Sequence, residues 1–84
     1  MLISRDQILQ YLEGNFGLDV KTIDDTTELF STGLLDSFSV ADLLMFLEDN
    51  GNFTVEPYEV VVENIDTVSS ILDFSRRKTE ALAS

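Results

Sequence analysis

In the stretch GLLDSFSVADLLMFLED, Gly33 to Asp49, a serine stands between an aspartate and a phenylalanine where a loop gives way to an apolar-periodic run. A hydroxyl at Ser37 can act as a nucleophile, cap the helix that follows, or serve as a point of covalent attachment. Nucleophilic attack needs an adjacent base to take the proton. The sequence has no histidine, and lysine occurs only at Lys21 and Lys78, so a triad or a serine–lysine pair is hard to assemble and the protein is not expected to be an enzyme. A capping serine would accept a bond from a free backbone N–H, but Asp36 can fill that role. With Asp36 as the cap, Ser37 is the first helical residue and its hydroxyl is left free on an exposed corner.

Such a corner needs elements to hold it. The 84 residues make one domain, 1–84, large enough for a modest core but too small to carry a deep catalytic cleft as well. Ser4-Arg5-Asp6-Gln7 has the form of a capping box, Ile3 can staple against Ile8, and Ile8, Leu9, Leu12 and Phe16 share a face, so a first helix is expected to end near Gly14 or Gly17. From Leu18 to Leu35 runs a long connection whose apolar residues must pack on something. A second helix is expected from Asp36 or Ser37 to about Asp49, closed by Asn50-Gly51, with Val40, Leu43, Leu44 and Leu47 facing the core.

Beyond Gly51 the pattern is mixed. Val55, Val60 and Val62 favour strands, while Pro57 suits a first helical turn, and a brief helix over 57–62 is preferred because two isolated strands make a marginal sheet. The last helix is expected to start with Asp66 or Thr67 as cap and to carry Arg76, Arg77 and Lys78 near its end, where cations favour the helix dipole. The fold class is therefore all-α: a small four-helix bundle, three longer helices and one short, with a long loop between the first two.

Charge narrows the partners. There are 16 acids against 5 bases, a net charge of -11, and no basic residue lies between Lys21 and Arg76. Nucleic acid would be repelled, whereas proteins with basic patches would be steered in at a rate that falls with salt. On the outer face of the second helix Phe38, Ala41, Asp42, Met45 and Asp49 fall together, with Glu48 at one margin, so large apolar groups are interleaved with carboxylates. Such a face suits a partner's surface; the alternative is that Phe38 and Met45 are core residues covered by the loop or a third helix. No apolar run is long enough to span a bilayer, residues 1–15 show no leader pattern, and no cysteine is present. A soluble, cytoplasmic protein is expected, with no disulfide framework or thiolate metal site.

The segment EDNGNFTVEPYE, Glu48 to Glu59, has part of the pattern of an EF-hand cation loop. Glu59 would close it, but Glu48 replaces the usual first aspartate and Phe53 occupies the position of the turn glycine, so no metal is expected.

The segment LFSTGLLDSFSVADLLMFLED, Leu29 to Asp49, resembles the modification site of acyl and peptidyl carrier proteins. The resemblance implies that Ser37 bears 4'-phosphopantetheine, installed from coenzyme A by a phosphopantetheinyl transferase that reads Asp36. It further implies that acyl or aminoacyl units ride on the arm as thioesters, loaded by one enzyme and passed to downstream synthases or transferases by a monomeric carrier. Phe38, Asp42, Met45, Glu48 and Asp49 are then the residues that partners read. Phe38 departs from the family's usual leucine, and GLLDS is closer to discrete D-alanyl, aminoacyl and peptidyl carriers than to the GADSL form of fatty-acid carriers, which points to specialised or natural-product metabolism. The competing expectation is an unmodified acidic helical module that only binds partners.

Overall fold

In a computed structural model, which describes residues 3–83, the chain is a helical bundle with no strand among the described residues. The helices are α1 (Arg5–Phe16), α2 (Ser39–Gly51), α3 (Val62–Ile65) and α4 (Val68–Ala83), with a single 3-10 turn at Pro57–Glu59 before α3. Ile8, Leu12, Leu29, Leu43, Leu47 and Ile71 are fully buried, so the core draws on three helices and on the long loop together. Burial of this kind contributes roughly 1.5–3 kcal/mol for each large apolar side chain.

Local chemistry sets the helix ends. The Ser4 hydroxyl accepts from the Gln7 N–H at 3.2 Å while the Gln7 side chain accepts from the Ser4 N–H at 2.8 Å, completing the capping box. Ile3 and Ile8 both enter the core, and Gly17 closes α1 in the left-handed conformation at φ 68°. Tyr11 of α1 stacks on Phe46 of α2 with ring centroids 4.2 Å apart, joining the two helices across the bundle.

The long loop is anchored twice to the start of α4, which explains how it keeps its shape without regular structure. The Asp25 carbonyl accepts from Ser69 N–H at 2.9 Å, and the Asp66 carbonyl accepts from Leu29 N–H at 2.6 Å. Leu29 and Leu35 are buried, and Ile23 and Phe30 pack against the core. Apolar residues in the connection do supply the anchor.

Several boundaries differ from the sequence expectation. Asn50-Gly51 does not end α2; the helix includes Gly51, and Asn52 takes the left-handed turn at φ 60° with its N–H bonded to the Glu48 carbonyl. Gly51 serves another purpose, because a Cβ there would overlap the Phe53 ring, which is buried and lies edge-on to Phe74. Gly51→Ala is accordingly expected to lower the urea midpoint by the equivalent of about 1–3 kcal/mol, against the usual gain of about 1 kcal/mol for Gly to Ala within a helix.

The brief helix expected over 57–62 is instead split into the 3-10 turn and α3, separated by Val60 and Val61. Val61 is extended, at φ -128° and ψ 151°, the conformation a β-branched residue favours. Arg76, Arg77 and Lys78 are not in the last turn of α4, which continues to Ala83. They pair with acids instead: Arg76 with Asp73 and Glu80, Arg77 with Asp73, and Lys78 with Glu59 at 2.8 Å.

Candidate functional site

The site begins with the turn that delivers the chain to α2. Gly33 takes φ 82°, where a side chain would be strained, and its N–H bonds to the Phe30 carbonyl at 3.1 Å. The chain then folds back so that Leu35 N–H reaches the Leu29 carbonyl at 2.8 Å, with the Leu35 side chain buried. Asp36 follows immediately, so its position is set by the core on one side and the loop on the other.

Asp36 caps the turn that leads into α2, whose own N-cap position, Phe38, has no side-chain cap bond. The Asp36 Oδ1 accepts from the Ser39 N–H at 3.1 Å and from the Ser39 hydroxyl at 3.0 Å, and its carbonyl also accepts from that N–H. Because the cap closes on Ser39, Ser37 and Phe38 form a turn and regular helix starts two residues later than expected. Phe38 already has helical dihedrals, φ -72° and ψ -26°, so the turn feeds smoothly into α2. Ser37 is exposed and its hydroxyl makes no hydrogen bond among the described residues. Capping is done by the neighbour, and the serine oxygen is left for other chemistry.

Around it, the outer face of α2 presents the mixed surface the pattern predicts. Phe38 is 86% exposed and Met45 60%, so neither is covered by the loop or by α3. Ala41, Asp42 and Asp49 are exposed on the same helix. Glu48 differs from them. It is half-buried, and its carboxylate accepts from the Val55 N–H at 2.8 Å, tying the segment after α2 back onto the helix. Glu48 and Glu59, the outer positions of the EF-hand-like segment, are thus both engaged within the chain, Glu59 by Lys78.

Of the two caps the sequence offers for α4, Asp66 and Thr67, it is Thr67 that accepts from the Ser70 N–H at 2.9 Å. Asp66 turns the other way and binds the loop, its Oδ1 accepting from Phe30 and Ser31 N–H and its Oδ2 from the Ser31 hydroxyl. Burial acts to raise its pKa, but the Ser31 hydroxyl and the loop N–H groups outweigh that and hold the carboxyl below its ordinary value. No local pattern announces a contact across 35 residues.

Two open cavities lie elsewhere. One, about 510 Å³, is lined by residues including Phe53, Lys78 and Leu82; the other, about 300 Å³, includes Ile3 and Leu72. Neither is lined by Asp36, Ser37 or Phe38.

A helical bundle with an exposed, unbonded serine at the start of an acidic amphipathic helix has the layout of a carrier for a covalently held arm. Comparison with known families agrees: the model described as a phosphopantetheine attachment site matches residues 6–75, and the chain belongs to this phosphopantetheine-binding carrier family. Among curated proteins it is similar to the D-alanyl carrier protein of Abiotrophia defectiva, with 31% identity over 77 residues that cover 92% of this chain and 98% of that protein. No solved structure matches the chain. The prosthetic group is 4'-phosphopantetheine, covalently attached, and carrier proteins of this kind generally interact with a phosphopantetheinyl transferase and with loading or synthase enzymes. No helix among the described residues is long and apolar enough to cross a membrane.

Proposed function

We propose that Ser37 is the attachment residue and that the protein is a non-catalytic, cytoplasmic carrier of acyl or aminoacyl units. The observation that carries this reading is the Ser37 hydroxyl itself, exposed and unbonded on a turn whose cap is provided by Asp36. In the modification step the Ser37 oxygen attacks the phosphorus of coenzyme A that bears the pantetheine chain. A new ester O–P bond forms, the pyrophosphate P–O bond breaks, the hydroxyl proton is lost, and the adenosine bisphosphate half of coenzyme A departs. With no histidine and no lysine adjacent, the base for that proton comes from the transferase. The bound arm supplies a thiol, which a chain without cysteine lacks, and so a place for a thioester.

The chain's own residues fix and advertise the oxygen. Asp36 holds the turn and flanks the serine for transferase recognition. The helix start favours the negative phosphodiester, and two hydrogen bonds to Asp36 partly offset the adjacent carboxylate. Phe38 and Met45 offer a small apolar contact, while Asp42 and Asp49 steer basic partners; a limited contact with charged surroundings suits binding that must be brief and repeated. The D-alanyl carrier relative, together with the GLLDS sequence, favours aminoacyl or specialised acyl cargo over bulk fatty-acid synthesis.

The test is intact-mass measurement after incubation with coenzyme A and a transferase, followed by fragmentation. Gain of a single phosphopantetheinyl group on the peptide containing Ser37 is expected; gain on another residue, or none, removes the assignment. Recognition by α2 has its own check. Asp42→Lys is expected to reduce the transferase kcat/KM by about tenfold at low ionic strength, with the gap closing as salt rises. Equal rates at low salt would take Asp42 out of the docking face. Glu48 is unsuited to this comparison, because reversing its charge also breaks the bond to Val55.

A further inference from the structure

Asp66 lies at the joint between α3 and α4, far along the chain from Ser37, and is 7% exposed. It collects four hydrogen bonds from three consecutive loop residues. Its carboxylate takes Phe30 N–H at 2.7 Å, Ser31 N–H at 3.0 Å and the Ser31 hydroxyl at 2.7 Å, and its carbonyl takes Leu29 N–H at 2.6 Å. That is more than anchoring a loop requires, since Leu29 is already fully buried.

The route onward is short. Leu35 hangs on the Leu29 carbonyl by its N–H, Asp36 is the next residue, and the Asp36 carboxylate sets the Ser37–Phe38 turn through Ser39. The serine's N-terminal side therefore leads back to a segment held by the burial of Leu29 and Leu35, by the Asp66 carbonyl on Leu29, and by the buried Asp66 carboxylate on the next two residues, Phe30 and Ser31.

We infer that Asp66 is a positioning residue for the arm-bearing serine: its clasp on Leu29–Ser31 keeps the Asp36–Ser37 turn in the single arrangement that a modifying enzyme binds. This rests on the reading of Ser37 as the attachment residue. Without the clasp the turn samples other arrangements, and the competent one is only a fraction of the population. Apparent affinity falls by that fraction while the bound complex reacts as before. The signature is a raised KM with kcat kept, which a purely stabilising residue would not produce in a sample that remains folded.

The experiment measures kcat and KM for transferase modification together with amide hydrogen exchange, on wild type, Asp66→Ala, Asp66→Asn and Ser31→Ala, each shown to be folded by circular dichroism. Asp66→Ala is expected to raise KM about tenfold, with kcat changed by less than about twofold and faster exchange at Phe30, Ser31 and Leu35. Asp66→Asn is expected to restore KM to within about twofold, because the amide oxygen can still accept from both N–H groups and the Ser31 hydroxyl can turn to accept from the amide nitrogen. Should Asp66→Ala not fold, Ser31→Ala decides. It removes one bond at an exposed residue and is expected to raise KM about threefold. A wild-type KM in folded Asp66→Ala despite faster loop exchange, no rescue by asparagine, or an unchanged KM in Ser31→Ala would each overturn the inference. Failure of the attachment reading looks different: wild type would gain no mass, or Ser37→Ala would still gain it.

Discussion

Ser37→Ala is expected to leave a transferase reaction with its mass unchanged, while wild type under the same conditions is converted fully. The loss should be complete rather than partial, because the chemistry needs an oxygen bonded to the chain at that point and Ser39, the next hydroxyl along, is committed to the cap through its bond to Asp36. Stability should move by less than about 0.5 kcal/mol, the usual range for an exposed side chain without special contacts. The Ser37 hydroxyl has no hydrogen bond among the described residues, and the cap on the turn into α2 belongs to Asp36. Intact mass and a urea melt on the same preparation check both halves. A mass gain that survives the substitution would move the site; a large fall in stability would mean that the hydroxyl holds the turn after all.

The largest effect on the fold is expected at Phe74. Its side chain is among the fully enclosed ones, it meets Phe53 edge-on with centroids 6.4 Å apart, and Arg77 lies over its ring at 5.8 Å. Phe74→Ala removes the centre of that cluster and is expected to destabilise the protein by about 3–5 kcal/mol. Native proteins have only about 5–15 kcal/mol in total, so the substitution removes a large share of the margin. A urea titration followed by far-UV circular dichroism reads the difference. A shift under about 1 kcal/mol would show that the bundle closes over the gap, since relaxation sets the size of such effects.

Most of the helical plan was legible because it depends on neighbours in sequence. The capping box at Ser4, the left-handed Gly17, the Asp36 cap and the stripe through Leu43 and Leu47 are all interactions within a few residues, and local spacing reveals them. The free hydroxyl of Ser37 was legible for the same reason: an aspartate and a serine in succession at a helix start supply more capping groups than one helix uses. What escaped was set by distant contacts. Gly51 looks like a stop signal until Phe53 is placed against it, and Asp66 looks like a cap until Phe30 and Ser31 arrive from the other end of the chain. The arginines of α4 were assigned to the wrong part of the helix because the Glu-Ala-Leu-Ala continuation lacks a strong start or stop mark. The valines before α3 illustrate a third cause. Val60 and Val61 are exposed, so no packing decides their conformation; Val61 is extended, as a β-branched residue favours, while Val62, also exposed, opens α3.

The separation of duties between Asp36 and Ser37 reaches beyond the site. A protease acts on the small share of molecules that open, and that share follows the free-energy gap between closed and open chains. Since the Ser37 hydroxyl contributes no hydrogen bond to closing the bundle, the wild-type chain and Ser37→Ala should be degraded at the same pace. The oxygen that we propose as the attachment point is thus one the fold can give up without changing its own lifetime.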